Sequence, residues 1–132
     1  MSNPYNTDLD RNPANYQPLT PISFLERAAD VYPQHTAIVH GSLERNYHEF
    51  YSRSLRLASA LSRKGIIRGD TVSVILSNTP AMLESHYGVP MCGAVLHSIN
   101  TRLDPETIAY QLDHSNSKAL IVDREFLETA KS

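Results

Sequence analysis

The sequence predicts an α/β protein whose second half is a parallel β-sheet connected by helices. After residue 69 the chain alternates strand-like and helix-like segments, its strand segments are apolar, and both connecting segments exceed ten residues. Parallel strands need connections of that length, and these connections are right-handed in nearly all proteins. The predicted order is a β-hairpin, a capped helix and a βαβαβ parallel-sheet unit.

The first helix and the hairpin are predicted from residues that begin helices and form turns. Thr20 followed by Pro21 indicates a helix start, because threonine caps a helix and proline lacks an amide hydrogen that the first turn cannot use. Residues 36–40 and 43–45 flank Gly41-Ser42, a turn pair that favours a tight hairpin.

The second helix is predicted from its two ends. Asn46 and Glu49 form a capping box, and Lys64-Gly65 provides a cationic last turn and a glycine stop. The apolar residues between them recur at helical spacing, so the helix depends on a sheet to cover one face.

The βαβαβ unit is predicted to have strands at 71–76, 94–99 and 118–122 and helices at 80–92 and 105–114. Thr79 and Asp104 each precede a proline, which places a capping oxygen in front of a first-turn proline in both helices. Residues 1–17 contain turn signals and little apolar periodicity, so we expect an extended N-terminal arm before an ordered region at 18–132.

Length and composition indicate one compact unit. The 132 residues carry a net charge of -2, which gives no reason to expect nucleic acid as a partner. Cys92 stands alone, the start has no basic and apolar leader, and no apolar run approaches the ~18 residues of a membrane span. We therefore expect a soluble protein of the reducing cytoplasm.

Several segments, taken in order, resemble the adenylate-forming acyl-CoA synthetases, also described as AMP-dependent synthetases or ligases. They are TPISFLERAA at 20–29, NYHEF at 46–50, RGDTVSV at 68–74, NTPAMLE at 78–84, GVPMCGAVL at 88–96, NTRLD at 100–104 and VDREF at 122–126. The run ESHYGVPM at 84–91 is most similar to the short- and medium-chain acyl-activating enzyme branch.

The resemblance implies an enzyme that joins a carboxylic acid to AMP using ATP and Mg²⁺ and then transfers the acyl group to CoA. The family's phosphate loop, adenylate motifs and catalytic lysine have no counterpart in these residues. The resemblance thus implies an incomplete N-terminal, AMP-binding type domain at 18–132, with no catalytic, cofactor-binding or metal-binding residue in this chain. ATP, Mg²⁺ and CoA are expected only for the full-length enzyme.

The glycines and histidines form no pattern typical of a cofactor or metal site. Gly65 and Gly69 are interpreted as a helix stop and a turn rather than a phosphate loop. The six histidines include no HExxH motif and no pairing with cysteine at zinc spacing. His86 and His97 are candidate ligand-binding residues because they are predicted near the sheet edge that binds ligands in open α/β folds. A partly buried imidazole bonded to backbone remains the favoured interpretation of both.

The other polar candidates also favour structural interpretations. Cys92 is expected to be a small core residue, since nothing near it indicates a reactive thiol. Thr79 lies where a helix start can bind an anion, but capping alone is favoured. Glu84, Asp104 and Glu106 are scattered in sequence and are expected to be solvated surface charges.

Three functions remain open at this level. The favoured one is an N-terminal segment of an acyl-CoA synthetase without catalysis of its own. The second is a stand-alone binding or interaction module derived from that family. The third is an independent doubly wound domain resembling a response regulator, which is weakened because Ser77 and Asn78 stand where a phosphoacceptor site needs acidic residues.

An incomplete domain should leave apolar surface uncovered, because parallel sheets need cover on both faces. We expect exposed apolar faces around Val74, Leu76, Val95, Leu96 and Ile121. The expected partners are the remainder of the synthetase or a second copy of the chain, with a small carboxylic acid as substrate of the full-length enzyme.

Overall fold

The computed structural model describes Asn12 and residues 16–131, so most of the predicted arm at 1–17 lies outside the described residues. The elements run α1 (Pro21–Val31), β1 (Thr36–His40), β2 (Leu43–Asn46), α2 (Tyr47–Arg63), β3 (Thr71–Ile75), α3 (Pro80–Met91), β4 (Val95–Ser98), α4 (Pro105–His114), β5 (Ser117–Val122), a 3-10 turn (Arg124–Phe126) and α5 (Leu127–Lys131). This order confirms the predicted α/β class, the hairpin, the capped helix and the βαβαβ unit.

Three helices begin at the caps that the sequence predicts. The side chain of Thr20 accepts a hydrogen bond from the backbone amide three residues later, at 3.3 Å. The side chain of Asn46 accepts from the amide of Glu49 at 2.8 Å, and the Glu49 carboxylate accepts from the amide of Asn46 at 3.1 Å. Asp104 caps α4 in the same manner. Each cap satisfies an amide that the first helical turn would leave without a partner.

The predicted side-chain cap at Thr79 is wrong. Thr79 has the extended backbone of an N-cap residue, but its side chain makes no capping bond to α3. The amides of Met82 and Leu83 instead donate to the backbone carbonyl of Thr79, at 3.0 and 3.3 Å. Because this tight first turn uses the Met82 amide, which a capping hydroxyl would normally bind, Thr79 caps α3 through its main chain only.

The parallel sheet has the strand order β4-β3-β5, with β3 at its centre. Val72 of β3 stands opposite Leu96 of β4 and Ala119 of β5. Successive residues of a strand point to opposite faces, so Val72 and Ile75 lie on different sides of the sheet. Val72 and Ile75 belong to two separate apolar clusters, so each cluster lies on its own face of the sheet.

The two sheet faces have separate cores. One core joins β3 to α2 and α3 and consists of Leu61, Ile66, Val72, Val89 and Ala94. The other joins β3 to α4 through Ile75, Ile99 and Ile108. Helices α3 and α4 therefore cover opposite faces of the sheet, which is the layered arrangement that a parallel sheet requires.

A third core connects the hairpin and α1 to the helical layer. Leu25, Ile38 and Phe50 are its buried members, and the ring of Phe50 meets the ring of Tyr87 edge-on with centroids 5.0 Å apart. Burial of one such apolar side chain contributes about 1.5–3 kcal/mol before its lost conformational entropy is subtracted. The hairpin is thus held to α3 by side-chain packing, because it forms a separate two-stranded sheet.

The expected exposure of the sheet is wrong at two of five positions. Val74 is 0% exposed and Leu76 is 7% exposed, because β3 is central and α2 and α3 lie over the face that these residues share. Val95 is 54% exposed, as predicted, because β4 is an edge strand, while Leu96 and Ile121 are half-buried. None of the described helices is long and apolar enough to span a bilayer.

Candidate functional site

The carboxyl ends of β3, β4 and β5 meet at one edge of the sheet, where open α/β folds bind ligands. The connection that leaves β3 leads to β4 on one side of β3, and the connection that leaves β4 leads to β5 on the other side. The strand order therefore reverses at β3, and the gap between β3 and β5 is the topological switch point. The Ser77 hydroxyl donates a hydrogen bond to the carboxylate of Glu125 across this gap. The amide of Asp123 also donates to the carbonyl of Ile75 at 2.9 Å. The polar groups on the two sides of the gap are therefore bonded to each other.

A groove lies beside this edge, between the hairpin and the first turns of α3. Its volume is about 580 Å³, and its apolar wall comprises Ile38, Val39, Met82, Leu83 and Tyr87. Ligand sites usually measure ~300–1,000 Å³ and combine an apolar lining with a few polar groups. The polar groups of this hairpin groove are those of His40, Asn78, Thr79 and His86. The groove can hold an apolar group, but it presents no paired acid and base.

His86 lies on the rim of the hairpin groove and is exposed. Its Nδ1 atom is 2.9 Å from the carbonyl oxygen of Met82, one helical turn earlier. The predicted bond to backbone is confirmed, whereas the predicted partial burial is wrong. Because a carbonyl can only accept, Nδ1 of His86 carries the hydrogen.

His97 is half-buried as predicted, but its partner is a side chain and not the backbone. Nδ1 of His97 lies 2.9 Å from the hydroxyl of Ser73, a fully buried residue at the centre of the sheet. The Ser73 hydroxyl also contacts the hydroxyl of Ser117, which lies 2.7 Å from that of Ser115. We call Ser73, His97, Ser115 and Ser117 the serine–histidine row. Burial of Ser73 is acceptable because its hydroxyl has two partners.

Glu84 is 7% exposed, so the prediction that it is a solvated charge is wrong. Its Oε1 atom accepts from Nε of Arg53 on α2 at 2.6 Å and from Nη1 of Arg45 on β2. The hydrogen bond to Glu84 raises the pKa of Arg53 above its ordinary value, although partial burial opposes the shift. Burial of a carboxylate is tolerated when cations and hydrogen bonds compensate its lost contact with water.

This ion cluster joins three elements, since Arg45 belongs to the hairpin, Arg53 to α2 and Glu84 to α3. A general acid and base pair requires a second titrating group near the reacting atoms, and none of these partners is a carboxylate or histidine. The cluster therefore orients the three elements relative to one another through one shared carboxylate oxygen. Sequence spacing could not reveal it, because Glu84 is 31 positions from Arg53 and 39 from Arg45.

Asp104 and Glu106 lie exposed at the start of α4, as predicted. Hydrogen bonds from the amide and then the hydroxyl of Thr107 lower the pKa of Asp104 below its ordinary value. Cys92 is half-buried against the core and donates to the carbonyl of Val89 at 3.1 Å, which confirms the predicted packing role. Within residue 12 and residues 16–131, no group of three acidic, histidine or cysteine side chains could hold a metal ion.

The start of α3 does not fit a phosphate group. Pro80 has no amide hydrogen, and the amides of Met82 and Leu83 already donate to the Thr79 carbonyl. Phosphate sites at helix starts need several free amides that converge on the anion. Gly65 and Gly69 have φ angles of 89° and 91°, which confirms their interpretation as a helix stop and a turn. The start of α3 therefore lacks the converging free amides of such a phosphate site.

Residues 25–132 match the family model described as AMP-binding enzyme. The chain belongs to this family. Its matched region begins within α1 and includes the hairpin, the parallel sheet and all of the helices that cover it.

Curated relatives of this AMP-binding family member include CoA ligases. The chain is 50% identical over 124 residues to the peroxisomal acetate/butyrate–CoA ligase AAE7 of Arabidopsis thaliana, covering 94% of the chain and 22% of the relative. It is 48% identical over 124 residues to the peroxisomal trans-cinnamate:CoA ligase of Petunia hybrida, with the same coverage of both. The chain therefore spans about a fifth of the length of these relatives.

The fold is also shared with solved structures. The inhibitor-bound N-terminal domain of FACL13 from Mycobacterium tuberculosis superposes with a TM-score of 0.79 at 29% identity, covering 83% of this chain and 28% of that one. The shared region is thus part of an N-terminal domain, as the sequence resemblance implied. Prediction of the family and of the fold is confirmed.

Proposed function

We propose that this chain is the first part of the large N-terminal domain of an acyl-CoA synthetase. Its 50% identity to an acetate/butyrate–CoA ligase along nearly the whole chain carries this proposal. The whole enzyme would join a short- or medium-chain carboxylic acid to AMP, releasing pyrophosphate from ATP, and then form the thioester with CoA. ATP, Mg²⁺ and CoA are proposed for the whole enzyme and not for these residues.

The contribution of this chain is structural in the proposal. Residues 18–132 form an incomplete domain in which β3 provides the central strand of the sheet and the Arg45–Arg53–Glu84 cluster fixes the hairpin against the helical layer. Such a framework supports catalytic groups on other segments by holding the strand ends in place.

The acid is proposed only as a class. Relatives named for acetate or butyrate and for trans-cinnamate share 50% and 48% identity with this chain. A segment that is similar to both does not distinguish an aliphatic acid from an aromatic one. Cytoplasmic location likewise stays a prediction, and the two relatives are both named as peroxisomal.

The first experiment measures nucleotide binding by the 132-residue chain alone. Calorimetric titration with Mg-ATP and pyrophosphate exchange with butyrate should both give no signal, because the start of α3 has no converging free amides and the described residues hold no group of three metal-ligating side chains. Saturable binding of Mg-ATP would contradict the assignment of ATP to the rest of the enzyme.

The second experiment supplies the missing part. The chain is mixed with a segment that begins after the position equivalent to Ser132 in the acetate/butyrate–CoA ligase, and AMP release is measured with acetate, butyrate, hexanoate, benzoate and cinnamate. Activity that requires both segments and CoA would support the proposal. A stable monomer that gains no activity with any acid would favour the alternative, a non-catalytic interaction module.

A further inference from the structure

The serine–histidine row crosses the whole sheet from the end of α4. The Ser115 hydroxyl donates to the carbonyl of Leu112 at 3.1 Å, and the hydroxyls of Ser115 and Ser117 are 2.7 Å apart. The Ser117 hydroxyl contacts that of Ser73, which lies 2.9 Å from Nδ1 of His97. The row therefore consists of four consecutive contacts that connect α4, β5, β3 and β4.

The direction of these hydrogen bonds follows from the acceptor at one end. Leu112 lies in the last turn of α4, where backbone carbonyls lack intrahelical donors, and a carbonyl can only accept. Ser115 uses its one hydrogen on that carbonyl. Ser117 must then donate to Ser115, and Ser73 must donate to Ser117, because each hydroxyl has a single hydrogen.

In the last contact of the row, between Ser73 and His97, only Nδ1 of His97 can still donate. Since the Ser73 hydrogen points to Ser117, the contact between Ser73 and His97 is a hydrogen bond only if Nδ1 of His97 carries the hydrogen. In the opposite tautomer, Nδ1 has no hydrogen and Ser73 must donate to it. One of the other three contacts, Ser73–Ser117, Ser117–Ser115 or Ser115 to the Leu112 carbonyl, would then have no hydrogen. In the first arrangement all four contacts are hydrogen bonds, whereas the opposite arrangement loses at least one of them, so the first is favoured.

We propose that the row fixes His97 as the Nδ1–H tautomer and makes its Nε2 atom a preset hydrogen-bond acceptor. His97 is half-buried on edge strand β4, between the half-buried Leu96 and the exposed Ser98. A group that contacts Nε2 must then be an N–H or O–H donor. A carbonyl or carboxylate cannot bind the neutral ring there, so the row restricts the partners of Nε2 to hydrogen-bond donors.

The direct test is the protonation pattern of His97 in the intact 132-residue chain. Long-range proton–nitrogen NMR correlations of the neutral ring, in alkaline buffer, distinguish a hydrogen-bearing nitrogen from one with a lone pair. We expect Nδ1 to bear the hydrogen and Nε2 the lone pair. A ring with its hydrogen on Nε2 would overturn the proposal.

A substitution tests the cause of this preference. In Ser117→Ala the Ser73 hydroxyl loses its acceptor, so its hydrogen is free to point to Nδ1 of His97. We expect the population of the Nε2–H tautomer to rise in this variant. Ser98→Ala is the matched control, because Ser98 is an exposed neighbour on β4, and its tautomer ratio should equal that of the unmodified chain.

Two outcomes would separate the row from a general effect of packing. If Ser117→Ala and Ser98→Ala shift the tautomer ratio equally, the row does not set the tautomer. If Ser117→Ala unfolds, Ser115→Ala replaces it: the Ser117 hydrogen can then point to Ser73, which frees Ser73 to donate to His97. An unchanged ratio in a folded Ser115→Ala variant would also contradict the proposal.

Discussion

Nε of Arg53 on α2 lies 2.6 Å from Oε1 of Glu84 on α3, and the same oxygen accepts from Arg45 of the hairpin. One carboxylate oxygen thereby serves two cations that come from different elements. The side chain of Glu84 is 9% exposed, whereas that of Arg53 is 41% exposed. The carboxylate is thus the residue of the cluster whose loss matters most, because both guanidinium groups depend on it.

Glu84→Gln is expected to lower the free energy of unfolding by about 1–3 kcal/mol. It removes the charge that compensates Arg45 and Arg53, and partial exposure of Arg53 keeps the loss below that of a fully buried pair. Urea denaturation measures the change. Glu26→Gln on the exposed side of α1 is the control and should be nearly neutral, so equal losses in both variants would exclude a role for the cluster.

Thr20→Ala and Thr79→Ala form a matched pair of cap substitutions. Thr20 caps α1 with its side chain, and its loss should cost about 0.5–2 kcal/mol of unfolding free energy. Thr79 has no side-chain cap bond, so Thr79→Ala should change the free energy of unfolding by less than about 0.5 kcal/mol. Thermal denaturation of both variants decides the point, and an equal loss at the two positions would show that Thr79 caps α3 after all.

Gly88→Ala is expected to destabilise the contact between α2 and α3 by about 1–3 kcal/mol. A Cβ atom at this position would lie 2.8 Å from Cδ2 of Leu57 and 2.9 Å from the carbonyl oxygen of Ser54. The double variant Gly88→Ala/Leu57→Ala should be less destabilised than the sum of the two single variants, because it removes part of the clash. Strict additivity in urea denaturation would mean that Leu57 and position 88 do not touch.

Stability should depend on the charge of Asp104. Its pKa is lowered by bonds from Thr107, so the ionised cap stabilises the fold above the ordinary aspartate pKa, and this contribution is lost as the pH falls through the lower folded value. Asp104→Asn keeps a capping oxygen but does not titrate. The unfolding free energy of the unmodified chain minus that of Asp104→Asn should therefore be constant above about pH 5. It should decrease below about pH 4, because only the unmodified chain loses an ionised cap. A difference independent of pH would contradict the effect.

Local signals in the sequence were sufficient for the elements of this fold. The residue types of Thr20, Asn46 and Asp104, with the proline or glutamate that follows, predict them as caps, and each accepts from an amide three residues away. Thr79 has the same sequence context, but its side chain does not cap α3. In the tight first turn of α3, the Met82 amide donates to the backbone carbonyl of Thr79 instead. A pattern of residues predicts where a helix starts more reliably than it predicts which atom caps it.

The ion cluster and the serine–histidine row could not be predicted, because their members meet only through tertiary contacts. A glutamate on a helix gives no signal of two arginines that come from other elements. One local hint existed, since Ser85 and Gly88 near Glu84 form a face of small residues that lets α2 approach α3 closely.

The central position of β3 affects the order in which the sheet can form during synthesis. Ser73 contacts Ser117, 44 positions later, so one edge of β3 has no strand to pair with until β5 has left the ribosome. At ~5–20 residues per second this interval lasts roughly 2–9 s. Helix α2 is complete before it begins, and its Leu61 can shield Val72 on one face of the nascent strand while the strand backbone waits for a partner.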